Sequence, residues 1–442
     1  MAKNILGEAW KTLCGFIEAC WNIFLFACVI CGIYFAFTDD GRKRRVPPTR
    51  PELSSRQQLR NRAIPKANQN PPSQPNVAPE QIPAAAPIDY QFTGFGYDGK
   101  DIFASSILAY AGVPTDGEDG DPAPKDAATF YGEGGIQASV ALSNVRKGQK
   151  FIVTVTADRF IKPSRFEFAI EESEAFVEVA PNMIYDYGEL SRLRQTVPFN
   201  ITFTVQRGNE RPKSQSETWI AHPINDCQVI TANFYLTKTG EIKPKPDDIS
   251  YSFAGYVNEN HPWVDGLLKE ALATRICNSF DGYQQGEKNV ARQVAAVWAA
   301  LQRRRISYSS ISTTTTAGRN SYQHVRFLDE SIQASQANCI DGSVLMASIF
   351  RKIGLNVSII LVPRHAYVAV LNKEGDQYLF AIETTMLKSA DLEKAIEYAT
   401  ETGPESLSKV YEKIADGTNR RYQEINIGEA RKVGIQPIPF TR

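Results

Sequence analysis

The chain has 442 residues, 43% of them hydrophobic and 22% charged, and its 49 Lys and Arg balance 49 Asp and Glu. That length calls for two or three domains, and the averages are those of ordinary globular protein, silent about function. Four of the seven cysteines lie in or beside one apolar stretch, which excludes a disulfide framework in the rest; four histidines, none beside a cysteine or carboxylate cluster, argue against a zinc site.

After an N-terminal segment, 1–18, residues 19–38 read ACWNIFLFACVICGIYFAFT, uncharged and about as long as a helix needs to cross the hydrocarbon core. A transmembrane helix is expected there. A cleaved signal is the competing reading, disfavoured because no small-x-small cleavage site precedes Asp39. Cys28 and Cys31 form a CxxC inside this run and read as small hydrophobes in a lipid-facing helix, while palmitoylation of Cys14 or Cys20 stays open. Lys3 and Lys11 precede the span, whereas Arg42, Lys43, Arg44 and Arg45 follow it, so the soluble domains of a single-pass inner-membrane protein are expected on the cytoplasmic side.

Residues 39–88 are basic and rich in Pro, Gln and Asn, a composition expected to form a disordered tether. Its bases suit anionic headgroups, and no aromatic residues interleave with them as a nucleic-acid surface would require, so no nucleic-acid partner is expected. Residues 89–134 read as a connecting segment. Within it DGEDGDPAPKD, 116–126, lacks the ligand spacing of a calcium loop and reads as solvated.

From 135 to 240 the hydrophobic period becomes two. QASVALSNV, KFIVTVTADRF, SRFEFAIEE, AFVEVA, FNITFTVQR and TWIAHPI predict an all-β, immunoglobulin-like sandwich, with His222 as a structural residue at a strand end. From His261 the period becomes helical, in HPWVDGLLKEALATRIC, where Cys277 is expected within the helix and the core, and in EKNVARQVAAVWAALQRRR. The low-complexity stretch SYSSISTTTTAGRNS is expected to form a loop beside the site.

Residues 336–385 carry the chemistry. Asn338 is a good N-cap, Val344, Leu345, Ile349 and Phe350 give a helix an apolar face, and Gly354 is placed to end it. Cys339 then sits in the first turn, where the helix dipole and unpaired amides favour the thiolate. NVSIILVP, HAYVAVLN and QYLFAIETT follow as three strands of an antiparallel sheet. His365 begins one strand and Glu383 closes the next, and pairing 365 with either 383 or 385 sets them on one face, where the acid can orient the imidazole.

The run NCIDGSVLMASIFRKIGLN, an apolar strand, P-x-HAYVAV and a strand ending in ETT resembles the Cys–His–acid core of the transglutaminase-like, papain-related superfamily. The likeness covers roughly 285–437, and the tail YQEINIGEARKVGIQPIPF is similar to the closing segment of bacterial members. An α+β chain is therefore expected: a transmembrane helix, a β-sandwich and a transglutaminase-like domain over 255–442. The resemblance implies Cys339 as nucleophile, His365 as general base and Glu383 as orienting acid, where the family more often carries Asp. Arg364 is a second departure, since a small residue commonly precedes this histidine. The oxyanion donor stays open among the Cys339 N–H, Gln336, Gln333 and Tyr308.

The implied activity is thiol acyl transfer on an amide of a protein or peptide, with hydrolysis favoured because water needs no second binding site; no cofactor or metal is implied. A non-catalytic membrane-tethered binding module and a protein-crosslinking transglutaminase are the alternatives.

Overall fold

The computed structural model describes residues 90–93, 100–114, 123–132, 138–231, 234–245, 247–309, 314–317 and 320–439. All of these belong to one compact unit within residues 50–442. The expected membrane helix at 19–38 and tether at 39–88 lie outside the described residues; among the described residues no helix is long and apolar enough to cross a membrane.

The architecture mixes helices with several sheets. In the N-terminal part a four-stranded sheet has the order Tyr90–Thr93, Ser139–Val145, Glu174–Ala180, Thr129–Gly132. A five-stranded sheet has the order Asp101–Phe103, Lys213–His222, Val197–Arg207, Lys150–Ala157, Ser164–Ala169. The alternation in the sequence becomes burial: Phe151, Val153 and Val155 enter the same apolar core as Phe199, Ile201, Phe203 and Val205, with Val140, Leu142, Val177 and Val179 from the other sheet. Residues 90–93, 101–103 and 129–132, read from sequence as connecting, thus supply strands to both sheets. Their runs are three or four residues long, too short to show a period, and pairing with longer partners makes them strands.

Helices Pro262–Leu272 and Glu287–Arg303 follow as expected. Cys277 is buried but lies beyond the first helix, which stops at Leu272 and is followed by Arg275 at φ +63. That correction has a local cause, because a residue in the left-handed region ends a helical run. Part of the expected low-complexity loop is a hairpin, Thr314–Ala317 with Asn320–His324, that adds to Asp226–Thr231. Its threonines are β-branched, and an available sheet edge converts that preference into a strand.

The C-terminal core is an antiparallel sheet in the order Tyr378–Ile382, His365–Leu371, Val357–Val362, Gln423–Asn426. Its alternate residues face two ways: Ala366, Val368 and Val370 share a core with Val344, Leu345 and Ile349 of the helix Cys339–Lys352, while Tyr367 and Ala369 pack with Leu407, Val410 and Ile414 of the helix Leu407–Asp416. The sheet is therefore covered on both faces, which explains why its strands read as continuous apolar runs.

Candidate active site

Cys339 opens the helix Cys339–Lys352 through a reciprocal cap. Asn338 Oδ1 accepts from the Asp341 N–H at 2.8 Å, and Asp341 Oδ2 accepts from the Asn338 N–H at 3.1 Å. Asp341 is 1% exposed and also accepts from the Arg326 backbone N–H at 2.9 Å and its guanidinium at 3.0 Å. The Cys339 carbonyl accepts from Ser343 Oγ at 2.8 Å and Thr384 Oγ1 at 3.2 Å. Thr384 comes this close because residue 342 is Gly: a Cβ there would meet Thr384 Oγ1 at 2.8 Å and its Cβ at 2.9 Å.

His365 follows a two-residue turn, Pro363-Arg364, closed by the pairing of Val362 with His365. Proline supplies the turn's first φ, and Arg364 takes φ +62, a conformation a non-Gly residue rarely adopts and here held next to the candidate base. The neighbouring ladder ends with Val368 paired to Ile382, and the chain turns at Glu383 into a 3-10 helix, Thr384–Met386, so His365 forms a ladder pair with neither 383 nor 385. His365 Nε2 lies 2.7 Å from Glu383 Oε2, and Glu383 Oε1 accepts from the Thr385 N–H at 3.1 Å and Thr385 Oγ1 at 2.6 Å. This leaves Nδ1 as the ring atom not engaged by Glu383, and Cys339 lies close enough to raise the His365 pKa.

Electrostatics follow from this packing. Burial opposes a charged imidazole, but hydrogen bonds to Cys339 and Glu383 and their negative charge outweigh it, and the His365 pKa is pushed up to about 10. Burial would raise the Glu383 carboxyl, yet His365 and Thr385 hold it below the ordinary value. Glu383 is 3% exposed at its side chain and His365 32%, so the acid is sealed while the base meets solvent. Burial pushes the thiols of Cys227 and Cys277 up, the first one well above its ordinary value.

Of the oxyanion candidates, the Cys339 N–H belongs to the first-turn amides a helix leaves unpaired, whereas the Asn338 N–H is already spent on Asp341. Tyr308, 52% exposed, lies close enough to Cys339 and Glu383 that, after burial, their charges raise its phenol pKa. Gln336 pairs through its backbone with Ser307 in a short parallel ladder leading to the cysteine, with its side chain half-buried. Gln333 is exposed on the helix Leu328–Ala334, and no contact among the described residues draws it to the triad.

Sequence reasoning missed Asp341, Arg326, Gly342, Thr384 and Thr385. The capping-box spacing from Asn338 to Asp341 was the available signal for the first; the threonines and Arg326 meet the site only through the fold. Among the described residues no group of three or more His, Cys, Asp or Glu is arranged to hold a metal. In comparison with known proteins, the chain matches no family model and no curated protein.

Proposed function

We propose that the protein is a membrane-anchored cysteine hydrolase of the transglutaminase-like, papain-related type, acting by thiol acyl transfer on an amide bond of a protein or peptide. The observation that carries the reading is a single constellation: a cysteine in the first turn of a capped helix, close enough to a histidine to raise its pKa, with that histidine's Nε2 2.7 Å from a sealed glutamate. The order of elements, helix and then antiparallel sheet, agrees with such a domain. The nine-stranded double sheet before it suits an immunoglobulin-like sandwich, and the apolar segment 19–38 with its basic tether suits a single-pass inner-membrane anchor with the soluble domains on the cytoplasmic side.

In this reading His365 takes the proton of Cys339. Sulfur attacks the carbonyl carbon, and the Cys339 N–H and the Tyr308 hydroxyl are the donors available to the developing oxyanion. Glu383 keeps the imidazolium oriented while its Nδ1 proton passes to the leaving nitrogen, giving a thioester and a free amine. His365 then takes a proton from water, the resulting hydroxide attacks the thioester, and the carboxylic acid leaves as the thiolate is restored. Replacing water with a primary amine would give transamidation at the same site.

The test is labelling of the full-length protein with a cysteine-directed electrophile, mapped by mass spectrometry. Rapid labelling of Cys339 near pH 7, abolished in Cys339→Ala, slowed in His365→Ala and faster than at Cys227 or Cys277, is the expected result. Labelling of Cys339 at the rate of a free thiol peptide removes the enzyme reading and leaves a membrane-tethered binding module.

A further inference from the structure

At the joint between the double sheet and the C-terminal region, a second group of titratable side chains surrounds His222. This residue ends the strand Lys213–His222, is 6% exposed, and stacks flat on Phe103 with ring centroids 4.2 Å apart. Its Nε2 lies 3.2 Å from Asp101 Oδ1, and its Nδ1 lies 3.6 Å from Asp226 Oδ2, an ion-pair distance too long for a hydrogen bond. Asp226 faces a second imidazole, with Oδ1 3.4 Å from His324 Nδ1. Among the described residues, the remaining groups facing this cluster are Tyr322, whose ring is 5.1 Å from that of His222, Asp341 and Glu330, whose charges act on His324, and the buried Cys227 and Tyr256 beside Asp226.

From this cluster a continuous line of contacts reaches the nucleophile helix. Asp226 and His324 are paired residues of adjacent strands. One residue on, the Val325 N–H donates to the Asn225 carbonyl at 2.7 Å and its carbonyl accepts from Asn225 Nδ2 at 3.0 Å. Arg326 then gives its N–H and guanidinium to Asp341, which holds the Asn338 N–H immediately before Cys339. The segment 324–326 is thus fixed at one end by the joint and at the other by the helix that carries the thiol.

We propose that His222, clamped between Asp101 and Asp226, is a positioning residue whose positive charge holds the joint and, through 324–326 and Asp341, sets the first turn of the Cys339 helix against His365. The proposal rests on the reading of Cys339 and His365 as a reactive pair and adds a regulator of that pair. Two carboxylates converging on one buried ring repel each other unless the ring is charged. Burial opposes that charge, and the two carboxylates outweigh it and raise the His222 pKa to about 9. Neutralising the ring frees Asp226 to turn toward His324 alone and loosens the strand pairing that anchors Arg326.

The experiment measures the rate of Cys339 alkylation in the full-length protein against pH, for wild type, His222→Gln and Asp101→Asn, with thermal denaturation of each. Asp101 is at the rim of the cluster, so its variant keeps the test alive if His222→Gln does not fold. The expected result is an acid limb displaced upward by about one pH unit in both variants, which lowers the rate at pH 6 by about tenfold. Lowered thermal stability with an unmoved limb overturns the proposal, because a merely structural clamp would not touch the thiolate. A wild-type limb at the position of a free thiol overturns instead the catalytic reading on which the proposal rests.

Discussion

Replacing Gly342 with Ala sets two known effects against each other. In a helix interior alanine is favoured over glycine by about 1 kcal/mol. The new methyl group, however, would stand 2.8 Å from Thr384 Oγ1, and retreat to an ordinary contact of 3.4 Å moves Thr384 by about 0.6 Å. That movement breaks the hydrogen bond to the Cys339 carbonyl, a loss of about 1 kcal/mol that cancels the propensity gain. What remains is overpacking in a buried site, a net destabilisation of about 1–3 kcal/mol. Thr384 is bonded in sequence to Glu383, so the same displacement disturbs the 2.7 Å contact with His365. Urea denaturation and Cys339 labelling, measured together, should show a moderate loss of stability and a rate at least about tenfold lower, since sub-ångström misplacement weighs heavily on reacting groups. A Gly342→Ala protein that is more stable than wild type and labels equally fast would refute the argument that the close approach of Thr384 aligns the triad.

Three other outcomes are expected. In Glu383→Gln the His365 pKa falls from about 10 toward its ordinary 6.5, because the carboxylate charge is gone, and NMR titration of the imidazole reads this directly; labelling of Cys339 at neutral pH slows with it. Stability should depend on pH through His222, whose folded pKa of about 9 lies above its ordinary 6.5. The contribution is complete below about pH 6.5 and is lost as pH rises through 9, on the order of 3 kcal/mol, and urea midpoints of wild type should decline over that window more than those of His222→Gln. Asn338→Ala removes the cap on the Asp341 N–H and should cost about 1–2 kcal/mol by denaturation, with a slower Cys339 because the first turn frays.

How much was legible in sequence differs by element. The alternation of FIVTVTA and FNITFTV determined buried faces without reference to any partner, since a period of two leaves a strand only one way to bury its apolar side. The run from Asn338 to Gly354 likewise carried its own start, apolar face and stop, and the helix ends with Gly354 at φ +82. Cys339, His365 and Glu383 were readable because each sits at the boundary of an element whose boundary residues are distinctive: a cap, a Pro-containing turn and a strand end.

The rest depended on contacts between residues far apart in the chain. No local pattern says that Arg326 meets Asp341, that Thr384 rests on Gly342, or that Asp101 and Asp226 close on His222 from two strands. The short strands at 90–93, 101–103 and 129–132 exist because longer strands offer them open edges, and the hairpin at 314–324 for the same reason. The periodic elements and the chemical types at their ends could be read from the chain alone, because they follow from the geometry of one segment. Which charges face one another came from the fold, because electrostatic pairing and close packing depend on distances in space that sequence separation does not encode.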